Sequence, residues 1–201
     1  MTDKRVARLR WCAVASLALL LSTSCATLQQ MAALRQVDFS LDGVSEVRLA
    51  GIDMSRVRSH SDLGLADAAR LARAVSNREL PLSLRLDLVG ENPADNGTTA
   101  RLVQMDWTLL LEARETVSGV FEREVVLPPG DPQPIPLSVS LNLVEFFEGS
   151  AVDLFEMALS LAGQGGEPKD VSLRATPTVN TALGPIRYPG PITIVGGQVG
   201  R

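Results

Sequence analysis

The sequence predicts a mainly β protein: a sandwich of short strands with two helices, preceded by an N-terminal address segment. Three observations carry this. Leu82, Leu84, Leu86 and Leu88 alternate with polar residues, as do Val103, Met105, Trp107 and Leu109, and later Ile135, Leu137, Val139, Leu141 and Leu143. That period of two places one face of an extended chain in a core and the other in water. Such runs recur at short spacing, separated by Pro, Gly, Asn and Asp, which is the pattern of a sandwich. Ahead of them, the first 25 residues read as basic, then apolar, then small residues ending at Cys25.

The composition is that of a globular chain, with 45% hydrophobic and 21% charged residues. Aromatics make up only 4%, so the core must rest on Leu, Val, Ile and Ala. Residues 1–24 hold four of the basic side chains and one acid. Without them Lys+Arg falls from 19 to 15 and Asp+Glu from 23 to 22, leaving a net −7. An acidic body argues against nucleic acid as a partner, because phosphate binding needs a basic face. Both cysteines, Cys12 and Cys25, lie in the N-terminal segment, so no disulfide framework holds the body together.

Taken in order, Trp11 to Leu21 is an apolar run too short to span a bilayer but of secretory-signal proportions. Leu21-Ser22-Thr23-Ser24-Cys25 follows. It resembles the lipobox of bacterial lipoproteins, in which a thiol takes a diacylglycerol group as a thioether. Ser22 stands where Leu is commonest. An ordinary cleaved signal and an uncleaved anchor are the alternatives, and the lipoprotein reading is preferred. It implies a signal peptide over 1–24, a lipidated tether over 25–35 and a folded domain over 36–201. Two or more acyl chains anchor stably where one does not. Ala26, in place of the Asp that retains such proteins at the inner membrane, implies the periplasmic face of the outer membrane.

Val37, Phe39 and Leu41 alternate, Asp42-Gly43 is turn chemistry, and Val47 and Leu49 resume, giving two short strands or one strand with a bulge. Leu65, Ala68, Ala69, Ala72 and Val75 share a helical face, predicting a helix over 63–77, capped by Ser61 or Asp62 and stopped before Pro81. The runs Leu82–Leu88 and Val103–Leu111 read as a hairpin-like pair around a loop containing Asn92 and Pro93. Glu115 to Leu127 reads as turn and strand, and Pro134 and Pro136 place the next strand's start at an edge or free end. Ser150 and Asp153 approach a capping box for a helix over 150–162, which Gly163 can close. Val171, Leu173 and Ala175 alternate again, and Leu183 to Ile194 is strand broken by Pro and Gly.

The ordered set of Leu82–Val89 ending in Asn92-Pro93, Val103–Leu111, Ile135-Pro136-Leu137-Ser138-Val139 before a helix, and Leu183-Gly184-Pro185-Ile186 resembles the group 2 late embryogenesis abundant family, or water-stress and hypersensitive-response (WHy) domain. The resemblance covers about Val37 to Ile194. It implies an immunoglobulin/fibronectin III-like β-sandwich linked to desiccation and stress tolerance, with no catalytic residues to carry over. The helix near 63–77 and the acidic loop Asn92–Thr98 depart from the pattern.

Candidate sites are few. His60, the lone histidine, reads as a solvated loop residue. Glu91, Asp95 and Asn96 do not have the spacing of a calcium loop and are better explained by a turn. Asp106 and Glu112 read as the solvent face of a sheet. There is no Gly-x-Ser-x-Gly elbow and no phosphate loop. Asn96-Gly97-Thr98 is a formal glycosylation sequon with little meaning in a bacterial lipoprotein. Asn92 and Pro93 are expected to serve a structural turn, Asn92 bonding local backbone and Pro93 ending the ladder. The expectation is therefore a non-enzymatic, membrane-anchored domain of water-stress-protective type that binds by its surface. No cofactor, metal, nucleic acid or small-molecule substrate is expected. The alternative is an adaptor or assembly lipoprotein that pairs a strand edge with a specific envelope protein.

Overall fold

The structure, a computed structural model, describes residues 37–96, 98–181 and 184–196. Cys25 and the segment expected to be signal and tether lie outside them. Within them the fold is mainly β, two antiparallel sheets with few helices.

The first sheet has the order β2-β1-β3-β7. Its strands are β1 (Asp38–Leu49), β2 (Ile52–Asp53), β3 (Pro81–Glu91) and β7 (Gln133–Asn142). The second sheet runs β10-β8-β4-β5, with β6 also on β4 and β9 also on β8. It holds β4 (Ala100–Leu111), β5 (Arg114–Phe121), β6 (Val125–Leu127), β8 (Val171–Thr181), β9 (Gly184–Arg187) and β10 (Ile192–Val195). Among the described residues three α-helices accompany the sheets: α1 (Leu65–Ser76), the single turn α2 (Leu143–Phe146) and α3 (Ala151–Leu161).

Alternation decides which side chains meet between the sheets. Leu82, Leu84, Leu86 and Leu88 of β3 are buried, as are Leu102, Met105, Trp107, Leu109 and Leu111 of β4. Each Leu fully buried in this way favours folding by about 1.5–3 kcal/mol in transfer free energy. Trp107 is accommodated by Gly119, its partner in register on β5. A Cβ at Gly119 would stand 2.8 Å from Trp107 Cε2, and nearer still to Cζ2.

β3 and β4 are not a hairpin. They belong to opposite sheets, and the loop between them carries the chain across the core. Both strands have one buried face, which a hairpin and a crossover satisfy equally. The true partners of β3 are β1 and β7, and those of β4 are β5, β6 and β8. Asp42-Gly43 does not end a strand either. β1 runs through it with register shifts at Leu41/Gly43 and Ser45/Arg48, so of the two forms expected, one bulged strand is found. Pro134 and Pro136 sit on β7, an edge strand, where a missing N–H removes no ladder bond from a second neighbour.

α3 begins with a complete capping box. Asp153 N–H donates to Ser150 Oγ at 3.2 Å and Ser150 N–H to Asp153 Oδ2 at 2.7 Å. Its Leu154, Phe155, Ala158, Leu159 and Leu161 are buried, and Gly163 at φ 68° follows its C-cap. α1 differs. Gly64 precedes it with no side-chain cap, and none of its residues is buried. Leu65, expected on its inner face, is 91% exposed, while Leu71, Ala74 and Val75 are the side chains turned to the body. Asp62 instead caps the short turn before the helix.

Candidate functional site: a groove between two helices

At the end of the sandwich where β1 finishes and β3 begins, the two longer helices do not close on one another. Between them lies a groove of about 980 Å³. Leu49 of β1, Leu80 just ahead of β3, and Phe155 and Leu159 of α3 are its buried floor. Leu71 and Val75 of α1, both half-buried, form the facing wall, with Leu63 and Met157 at its ends.

Local sequence explains why the groove is held open. Met54 and Val57 are buried in the core and pin the segment that follows β2. The Asp62 carboxylate then gathers the turn before α1, accepting from Arg58 N–H at 2.9 Å and Ser59 N–H at 3.0 Å. The Arg58 N–H, ahead of the Ser59 bonds, holds that carboxyl below its ordinary value. On the other side Ser160 Oγ donates to the Glu167 carbonyl and ties the loop after α3 to the helix. Two separately braced segments thus place Arg58 and His60 on one lip and Lys169 on the other, with Glu156 and Glu167 nearby. Arg58, His60 and Lys169 make no ion pair with the described residues. Asp153, which also reaches the groove, is committed to its cap, and the Ser150 N–H lowers its pKa from the ordinary carboxyl value. The arrangement offers an apolar trough with polar groups at its mouth, the usual make-up of a ligand pocket.

The residues singled out in the sequence mostly lie elsewhere. Asn92 and Pro93 follow β3, at the far end of the sandwich from the groove. Asn92 is fully buried, and its bonds reach beyond the local backbone. Its amide donates to Leu127 O at 2.8 Å and Thr98 O at 3.1 Å, its Oδ1 accepts from Asn96 Nδ2 at 2.8 Å, and its carbonyl accepts from Gly130 N–H at 2.7 Å. It is a polar tie between the crossover loop and the loop after β6. Pro93 starts a turn in which its carbonyl accepts from Asn96 N–H at 3.0 Å.

Asp106 pairs with Arg187 at 2.9 Å, and Glu112 accepts from Asp170 N–H at 2.7 Å. Among the described residues no group of three His, Cys, Asp or Glu could hold a metal ion. His60 is exposed, as read from the sequence, but it borders the groove. The groove itself was missed. Its one sequence signal is the placement of Leu71 and Val75 on a helix otherwise rich in Ala and Arg.

No family model matches the chain, and no curated protein matches it. Among solved structures, one likeness is to the solution structure of a protein provisionally assigned to the late embryogenesis abundant (LEA) proteins. It is 14% identical, with a TM-score of 0.37, and covers 97% of this chain and 87% of that one. Another is to the crystal structure of a protein from Archaeoglobus fulgidus, 10% identical, with a TM-score of 0.33, covering 56% of this chain and 80% of that one. The function proposed below rests on neither.

Proposed function

We propose that this chain is a lipid-anchored, non-enzymatic binding protein of the bacterial cell envelope, held by Cys25 at the periplasmic face of the outer membrane. Its sandwich works by surface contact. The observation that carries the binding role is the groove, a 980 Å³ apolar trough kept open by two braced segments. The lipobox-like Leu21 to Cys25 supports the anchor, and Ala26 supports the outer-membrane address. The ordered strands and Asn92-Pro93 that resemble the WHy domain support a setting in water stress.

A second reading, an adaptor that pairs a strand edge with an envelope protein, draws on β5. That strand ends one side of its sheet and carries Val120 at 49% exposure. Unpaired edges invite strand addition. An adaptor co-purifies with one partner at a fixed ratio, and a protectant does not.

Intact mass of the protein from membranes, for wild type and Cys25→Ser, tests the anchor. A wild-type chain beginning at Cys25 and carrying acyl mass that the variant lacks is the expected result. A chain cleaved elsewhere, or left uncleaved and unmodified, would overturn it.

A further inference from the structure

We infer that Asp42-Gly43 is a modification site, at which the folded chain converts Asp42 to isoaspartate. The inference rests on neither the anchor nor the groove.

This conversion needs a free aspartate carboxyl, a following residue whose backbone nitrogen can approach it, and a backbone not held tightly at that point. Asp42 is exposed and makes no hydrogen bond or ion pair with the described residues. Most other aspartates are committed. Asp53, Asp62 and Asp153 cap turns or helices, Asp67 and Asp106 hold arginines, and Asp87 holds Ser45 and Arg85. Asp38, Asp95, Asp131 and Asp170 are followed by Phe39, Asn96, Pro132 and Val171, whose side chains hinder the approach. Among the described aspartates Asp42 alone precedes a glycine. A Cβ at Gly43 would meet nothing within 4 Å, so there is open space beside it for a new ring.

The ladder is also open at this point. Leu41 pairs with Leu88 and Gly43 with Asp87, so Asp42 is the extra residue of a β-bulge and has no partner on β3. On its other side β1 is paired with β2 only at Arg48 and Leu49, and is bridged to Gly196 at Leu41. Residues outside the ladder open at little free-energy cost.

The Gly43 backbone nitrogen attacks Cγ of the neutral Asp42 carboxyl. The amide proton and the carboxyl hydroxyl leave as water, and a five-membered succinimide closes. Solvent water then adds to one of its two carbonyls. Addition at Cγ returns aspartate. Addition at the main-chain carbonyl carbon leaves the chain running through Cβ and Cγ, with a free α-carboxylate. Mass is unchanged and no oxidant is needed. The product puts one more methylene into β1. Because it falls on the bulged residue, the pairs on either side keep their register and the loosening stays local.

The test holds the full chain, purified from membranes in detergent, at physiological temperature and pH, either native or unfolded in urea. Digestion and electron-transfer fragmentation then tell isoaspartate from aspartate at the same mass. The expected result is isoaspartate accumulating at Asp42 ahead of every other described aspartate. In the native chain its rate should lie within about tenfold of the unfolded chain, as an easy local opening allows. Gly43→Val should slow it at least about fivefold by removing the freedom of glycine. Asp42→Glu, which would have to close a six-membered ring, should stop it. Thermal melting checks that both variants keep the fold. In the aged chain, amide exchange should quicken at Leu41 to Val44 and stay unchanged in β7.

Isoaspartate in the unfolded chain but not in the native one would overturn the site, because the fold would then protect Asp42. A rate indifferent to Gly43→Val, or equal accumulation at Asp38 or Asp95, would overturn the role of the Asp-Gly step. Quickened exchange spreading through β3 into β7 would overturn the bulge as the place that absorbs the added methylene.

Discussion

Replacing Asn92 tests whether one buried amide ties the two loops at the far end of the sandwich. Asn92→Ala removes the donors to Leu127 O and Thr98 O and the acceptor for Asn96 Nδ2, at a position with 0% exposure. A buried carbonyl left without a donor costs roughly 1–3 kcal/mol, so the variant should lose about 2–4 kcal/mol. For a domain of this size each kcal/mol is worth about 2–4 °C, which predicts a fall in Tm of ~5–15 °C. Asn92→Asp keeps the shape but turns an acceptor oxygen toward two carbonyls at 2.8 and 3.1 Å.

Burial and those oxygens disfavour the charged carboxylate and raise its pKa in the folded state above the unfolded value of about 3.9. Below that unfolded value both states are protonated and the ionisation penalty is absent. As pH rises from there to the folded pKa, the penalty grows to its full size. The Asp variant should therefore melt closer to wild type at pH 4 than at pH 7, and at pH 7 no higher than the Ala variant. Melting followed by circular dichroism from pH 4 to 8 reads this. A pH-independent deficit, or an Asp variant as stable as wild type at neutral pH, would refute the proposed tie.

Three further outcomes are expected. Gly119→Ala should destabilise by about 1–3 kcal/mol, because a Cβ 2.8 Å from Trp107 Cε2 must displace a buried ring, and urea unfolding with tryptophan fluorescence measures it. Ala113→Gly should stabilise slightly, by up to about 1 kcal/mol in the same unfolding assay, since Ala113 at φ 59° is held in a left-handed conformation that glycine adopts freely. Ser150→Ala should cost about 1 kcal/mol through its lost cap. The partner carboxyl, Asp153, has a depressed folded pKa, chiefly from the Ser150 N–H, so its contribution is present above the unfolded carboxyl pKa and lost as pH falls through the folded one. Amide exchange in the first turn of α3 should accordingly quicken relative to the rest of the helix in acid, and Asp153→Asn should remove that pH dependence.

How much of this could be read without coordinates depended on whether a feature is local. β3 and β7 are local: a leucine-rich period of two has one buried face wherever the strand sits. The Ser150–Asp153 box is local too, since both bonds span three residues. The β3–β4 crossover is not local, because alternation says which face is buried but not which sheet receives the strand. The turn between β4 and β5 was hidden for another reason. Leu111 pairs with Arg114 across Glu112-Ala113, both at positive φ, where Asn-Gly would have signalled the turn. Glu112 N–H donates to the Asp170 carbonyl at 2.9 Å, and its carboxylate accepts from Asp170 N–H at 2.7 Å, so the residue ahead of β8 braces that costly geometry. On α1 the alanines made several faces nearly equivalent, so the sequence favoured a stripe from Leu65 through Ala68 and Ala72 to Val75, where the structure turns Leu71 and Ala74 inward together with Val75. The groove follows from that second face and from a helix pair distant in sequence. Asn92 was recognised as structural, but its partner Leu127 lies 35 residues away.

The ladder between β1 and β3 has a mechanical consequence if the chain is tethered through Cys25. β1 is the first described strand, and it is bonded antiparallel to β3 from Asp38↔Glu91 to Leu49↔Leu82. Tension from the tether enters at Asp38 and runs along the strand, while antiparallel ladder bonds lie across it. Such a load shears many bonds together instead of unzipping them singly. The sandwich is thus oriented to resist being drawn out by its own anchor, and the two bulges in β1 mark where a pulled strand would first yield.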